Sequence, residues 1–315
     1  MRGRFRRGRG GPPPPGGGGG GAPRGPRRPA AGAGAAGDGL GPAQLARLGV
    51  DLQMLPRDLL AAARQGGLPP SVARAYLKLA NSSVLHALMC RFPALRDRLL
   101  ADPRFLFKVG VDATANLAST ATLASRGGRR AEWDAFFVAD AVFGTLLNCL
   151  VVGLLAPVAV LGAGARAGAG QGVVGAYRKF RRPLPTAAFE PAVTGLREFT
   201  AQQRLVSVSL RALELGAIGL AVGTVGQAAA HAAQMVGWWK RGGAPSDVAL
   251  APWGENALGW GLAAGVAANF RYQAVAGLET AVERSVGRAF PVLPWLAPIF
   301  FRTVNAAANH AEEDL

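Results

Sequence analysis

Cysteine is scarce in this sequence: two residues, Cys90 and Cys149, stand in unrelated segments of a 315-residue chain. A pair so placed builds neither a disulfide framework nor a zinc site. Histidine is as thin, with His86, His231 and His310 scattered, so no metal site is expected. His86 and Cys90 share i, i+4 spacing but lack the third, orienting group that a nucleophile–base pair needs. Charged residues make up only 17%, against roughly 25% in soluble domains, and no acid precedes Asp38. Phosphate-binding loop, nucleophile-elbow and HExxH patterns are missing. The glycine-rich run Gly162–Gly170 has no following strand or ribose-binding acid of the kind a dinucleotide site needs. These absences argue against an enzyme, and no cofactor is expected.

Apolar residues are abundant, at 50% of the chain, and glycine numbers 44. Small residues suit close helix packing in lipid, where shape rather than apolarity decides association. The formal net charge of +16 invites a nucleic-acid reading, but its distribution argues otherwise. Eight arginines (Arg2, Arg4, Arg6, Arg7, Arg9, Arg24, Arg27, Arg28) lie in the first thirty residues, and most other cations sit in clusters between apolar segments. Membrane proteins distribute charge in that way. Residues 1–40 form an Arg/Gly/Pro tail that cannot bury enough surface to order itself. It reads as a transit-like or linker segment. Only Phe5 is available for base stacking, so nucleic acid is not expected as a partner.

Residues 41–104 read as short amphipathic helices outside the bilayer. Leu45, Leu48, Leu52 and Leu55 recur at helical spacing, Asp58–Arg64 forms a further turn or two, and Ser71 is placed to cap a helix running through Leu88. None holds the roughly 18 uncharged apolar residues of a span. Residues 105–310 read as a transmembrane domain, which makes the chain all-α, a polytopic bundle of four or five crossings. The candidate spans are 105–125, 134–161, 205–239, 253–278 and 291–308, the first and last being marginal. Trp238 and Trp239 suit an interfacial belt, and the basic residues of the 162–204 loop place the N-terminus on the cytosol-equivalent side.

Gly216, Gly219, Gly223 and Gly226 form a small-residue stripe, which Gly261 and Gly265 repeat on the next span; both suit close helix packing. Ionisable residues inside apolar segments are costly and so mark pairs or wet paths. Asp112, Asp140, Arg271, Glu279 and Glu283 are the candidates for a polar network or substrate path, with Asn148 two turns beyond Asp140. Lys108 and Asp112 are spaced for a local ion pair, as are Arg211 and Glu214. Asp140 has no local cation, and Arg271 is a candidate interhelical partner.

Three stretches carry a resemblance. They are Arg96–Lys108, the run from Val138-Ala-Asp140 to Leu155-Ala-Pro157, and Asn269-Phe-Arg-Tyr-Gln273 followed by Gly277-Leu-Glu279 and Glu283. Leu184-Pro185, Phe189-Glu190 and Gln203-Arg204 add weaker echoes. From about residue 40 onward the chain resembles the RETICULATA-related family of plant and algal plastid envelope proteins. The resemblance implies a chloroplast location, in the inner envelope membrane and multi-pass, reached with a removed transit peptide. It also implies a role in plastid metabolism and leaf development, with metabolite transport, amino acids included, as the biochemical activity. The chain departs from the family pattern at Asn116 and Asn148, where acids are common. Two functions follow as expectations: a metabolite transporter using the intramembrane ions, or a non-transporting envelope scaffold working through residues 41–100 and the basic loop. Membrane lipids, a small metabolite and a second copy of the chain stay open as partners.

Overall fold

The computed structural model describes residues 40–126, 135–159, 172–191, 198–240 and 252–311, less the single positions 48, 50, 54, 66, 67 and 288, together with Gly242. The side chains of residues 135–140 are outside the described set, as is the expected N-terminal tail. The described elements are helical; one isolated bridge joins Leu40 to Leu68.

Five short helices come first: α1 (Pro42–Arg47), α2 (Arg57–Arg64), α3 (Pro70–Ala80), α4 (Ser83–Arg91) and α5 (Pro93–Ala101). Their apolar positions recur at helical spacing, and Leu45, Leu59, Leu68, Tyr76, Met89 and Leu99 meet in a dry core. Proline sits in the first turn of α3 and α5, where its missing N–H costs nothing. Ser71 does not cap α3, because Pro70 already opens that helix. The segment expected to run unbroken to Leu88 stops at Ala80; Ser82 then caps α4, accepting from the Leu85 N–H at 3.4 Å.

Arg96 ties these helices together. Its guanidinium donates to both oxygens of Asp58, at 2.8 and 2.5 Å, and to Asp97 at 2.8 and 3.1 Å, while only 2% exposed. Burial pushes the Asp58 carboxyl up, but the Arg96 hydrogen bonds and charge outweigh it and hold Asp58 below its usual 3.8.

The long helices follow: α6 (Phe105–Arg126), α7 (Ala135–Leu155), α9 (Ala201–Lys240), α10 (Trp253–Leu262), α11 (Asn269–Ser285) and α12 (Leu293–Ala311). Between α7 and α9 lies a short helix, α8 (Val173–Arg181), in a stretch expected to be loop. Six π-helical residues, Ala263–Ala268, join α10 to α11 without a break. The glycine stripes set the closest approach. Gly216 faces Gly261 and Gly265, and a Cβ on Gly219 would lie 2.3 Å from the Trp260 carbonyl oxygen. Gly223 packs on Trp260, and Gly226 on Phe143 of α7. α9 and α10 are therefore antiparallel, with His231 stacked on Trp253 at one end and Asn269 bonded to the Val208 carbonyl toward the other. α6 runs beside α12, with Phe107 against Trp295, and is joined to α7 by Asn116, Thr145 and Asn148.

Helices occupy all five stretches expected to cross a membrane, but among the described residues one, Ala201–Trp239, is long and apolar enough to do so. Ala141–Leu155 is a shorter apolar helix. The reason lies in the inner faces. α6, α11 and α12 carry Asp112, Glu279 and Arg302 toward one another, which lowers their apolar content. The outer faces are apolar: Val142 and Leu146 on α7, Leu213 and Val225 on α9, Leu258 and Leu262 on α10, Phe300 and Val304 on α12 are all exposed.

Candidate functional site

One end of the long bundle is ionic. On α12, Arg302 grips Glu279 of α11 with two hydrogen bonds, Nε–Oε1 at 2.7 Å and Nη2–Oε2 at 3.3 Å. Its Nη1 lies 3.7 Å from Asp112 of α6, whose other oxygen accepts from the Tyr272 hydroxyl at 2.7 Å. Lys108, one turn before Asp112, reaches Glu279 at 3.2 Å and Asp102 at 2.7 Å. Arg104 extends the network to Glu283 at 2.5 Å and to the Pro294 carbonyl at 2.9 Å. Arg302, Glu279 and Asp112 are each at most 6% exposed. Charges so desolvated persist only when paired and hydrogen-bonded, as they are here.

A cavity of about 390 Å³ opens beside this network. Four cations (Arg104, Lys108, Arg284, Arg302) and four carboxylates (Asp102, Glu190, Glu279, Glu283) line it, with Phe105, Leu155 and Phe189 supplying apolar wall. The segment 183–191 forms another side and is clamped from two helices. Ser207 donates to the Pro185 carbonyl at 2.6 Å and Arg211 Nε to the Thr186 carbonyl at 3.0 Å, while the Ala188 N–H donates to Gln273 at 2.7 Å. Arg204 holds the Ala188 and Glu190 carbonyls, and Glu190 accepts from Thr186.

Asp112, Glu279 and Glu283 thus come together at one network. Asn148 belongs to a separate contact, donating at 2.8 Å to Asn116, which in turn donates to Thr145 at 3.0 Å. Arg271 is half-buried on α11 and does not line the cavity. The Asp140 side chain lies outside the described residues, and with it the expected Asp140–Arg271 pair. Lys108 takes Asp102 and Glu279 rather than Asp112, whereas Arg211 and Glu214 do pair within α9. Arg302 is the residue the sequence reading missed. It stands alone in the apolar run of α12, the same signal that marks Asp112.

Part of this end falls within a stretch shared with known proteins. The pattern of the RETICULATA-like family, described as Protein RETICULATA-related, matches residues 97–278. The chain belongs to the RETICULATA-related family. Protein RETICULATA, chloroplastic, of Arabidopsis thaliana is 34% identical over 259 residues, which are 80% of this chain and 58% of that protein. Protein RETICULATA-RELATED 1, chloroplastic, of the same plant is 33% identical over 261 residues, again 80% and 58%. RETICULATA-RELATED 4, chloroplastic, is 31% identical over 234 residues, 73% and 58%. The chain therefore spans a little over half the length of these relatives. No solved structure matches it. Asp102, Arg104, Lys108, Glu190 and Tyr272 of the cavity lining fall within the matched residues, whereas Glu279, Glu283, Arg284 and Arg302 lie beyond them.

Proposed function

We propose that this RETICULATA-related chain is a multi-pass protein of the plastid inner envelope that binds a small zwitterionic metabolite, an amino acid foremost, and carries it across the membrane. The chloroplast location rests on the relatives, which are named chloroplastic. The membrane reading rests on the exposed apolar side chains that recur along α7, α9, α10 and α12. Only 22% of the most apolar stretch of α9 is buried, unlike the core helix of a soluble domain.

The cavity carries the transport reading. Its 390 Å³ suit a small metabolite, and its equal numbers of cations and carboxylates suit a ligand bearing both charges. Arg284 stands exposed at its lining, where substitution leaves the buried ion network intact. The test is counter-exchange by purified protein in liposomes, with a labelled panel of amino acids and organic acids. Saturable exchange is expected, with Arg284→Gln raising the half-saturation concentration about tenfold or more, the worth of a hydrogen bond to a charge. Exchange absent from folded, inserted protein rejects transport.

A second reading, a non-transporting envelope scaffold, is favoured by one observation: the cavity carboxylates Asp102, Glu279 and Glu283 already hold internal cationic partners. It requires that deleting residues 41–100 or α8 abolish partner or lipid binding while leaving the bundle folded.

A further inference from the structure

We propose that α8 lies in the plane of the membrane, in the headgroup layer of an anionic leaflet, on the same side as the ionic cavity. The proposal builds on the membrane reading above and adds to it a side, a depth and a lipid class.

At 100° per residue, Val173, Val174, Tyr177 and Phe180 fall on one face of α8. They are exposed by 87, 60, 41 and 56%. Gly175, on the opposite side, is buried against the rest of the fold. Arg178 borders the strip, Arg181 lies within its arc and turns to Glu214, and Lys179 and Arg182 fall on the far side near Gly175. Arg178, Lys179 and Arg182 are exposed, and the run Val173–Arg182 contains no acid. An apolar strip with cations beside and behind it is what a helix needs to lie between acyl chains and anionic headgroups.

The height of α8 is fixed independently by its docking on α9. The Tyr177 hydroxyl donates to Glu214, Arg181 Nε sits 3.6 Å from the same carboxylate, and Arg181 Nη1 donates to the Pro185 carbonyl at 2.7 Å. Twenty-four residues of uninterrupted helix separate Glu214 from Trp238. At 1.5 Å per residue that is about 36 Å. A bilayer's hydrocarbon core is about 30 Å thick, and tryptophan favours its boundary. With Trp238 and Trp239 at one boundary, α8 falls at the other. The cavity lies beyond it: Gln273 bonds the Ala188 N–H, and Arg204 the Ala188 carbonyl, on the N-terminal side of Glu214 along α9. Its ions therefore sit at the aqueous edge rather than in the hydrocarbon.

The test uses the full chain, with Cys90→Ser and Cys149→Ser, in vesicles of phosphatidylcholine alone or mixed with phosphatidylglycerol. A nitroxide is attached at one introduced cysteine at a time: Val174→Cys or Phe180→Cys on α8, Val225→Cys on α9, Ser71→Cys on α3. Collision with oxygen reports apolar surroundings, and collision with a nickel chelate reports water. The Val225 label is expected to be oxygen-rich and the Ser71 label nickel-rich. The α8 labels are expected to be oxygen-rich at shallow depth and to move deeper when phosphatidylglycerol is added. Each cation favours the anionic surface by about fivefold, so the triple variant Arg178→Glu, Lys179→Glu, Arg182→Glu is expected to lose that shift. Nickel-accessible α8 labels beside an oxygen-rich Val225 label overturn this proposal alone. A depth indifferent to phosphatidylglycerol overturns the choice of anionic lipid. A nickel-accessible Val225 label overturns the membrane reading itself.

Discussion

Two arginines hold the molecule, by different means. Arg302 is enclosed between Glu279 and Asp112. Arg302→Gln leaves two buried carboxylates short of their cation and is expected to cost about 3–5 kcal/mol, read as a lowered unfolding midpoint in detergent. Adding Glu279→Gln should recover part of that loss, since the double variant removes both charges. Arg96 pairs instead with a half-exposed Asp58, so the expected effect of Asp58→Asn is smaller and depends on pH. Because Asp58 is held below its usual 3.8, its stabilisation is complete above that value and fades as pH falls through the lowered one. Wild type and Asp58→Asn should therefore differ in stability at neutral pH and converge in strong acid. Asp112 and Glu279 are readable from sequence because each interrupts an apolar run. Their partners are not: helical spacing offers Lys108 to Asp112, while the fold turns Lys108 toward Asp102 and Glu279, from which it is separated by 6 and 171 positions.

At the scale of the helices, small residues decide the spacing. A side chain on Gly219 meets backbone at 2.3 Å, and one on Gly265 meets the Ala212 carbonyl at 2.7 Å, whereas Gly216 and Gly226 have ordinary van der Waals room at 3.5 and 3.6 Å. Gly219→Ala is expected to destabilise the α9–α10 pair by about 1–3 kcal/mol. Gly216→Ala should cost far less, and thermal unfolding in detergent ranks them. The period of these glycines makes the contacting face legible in the sequence. Neither α8 nor the break before Ser82 is legible in that way. α8 lies among glycines and prolines that argue for loop, and its helix is held by Tyr177 and Arg181 reaching Glu214, a tertiary contact.

At the scale of the whole bundle, within residues 40–311, polar and apolar chemistry are sorted along the helices. The short helices, the ion network and the cavity gather at one end, and Trp238, Trp239 and Trp253 at the other. An apolar girdle of exposed side chains lies between. Such a molecule should extract from membranes only with detergent and resist alkaline carbonate, which strips peripheral proteins; release by carbonate would contradict the girdle's assignment. Composition reads α9 alone as long and apolar enough to cross a membrane among the described residues, because the apolar runs of α6, α11 and α12 are interrupted by residues whose charges are settled by other helices.

The π-helical residues Ala263–Ala268 carry a last implication, for how the chain's length can change. A turn closed by i→i+5 bonds contains one residue more than an ordinary helical turn. Losing one alanine there lets the turn close as α while Trp260 stays on its glycines and Tyr272 on Asp112. Losing Ala276 instead rotates everything after it by about 100°, and Glu279 swings away from Arg302. Single-residue deletions should thus be borne within those six positions and rejected by the helix on either side, which makes the stretch an expansion joint in an otherwise rigid rod.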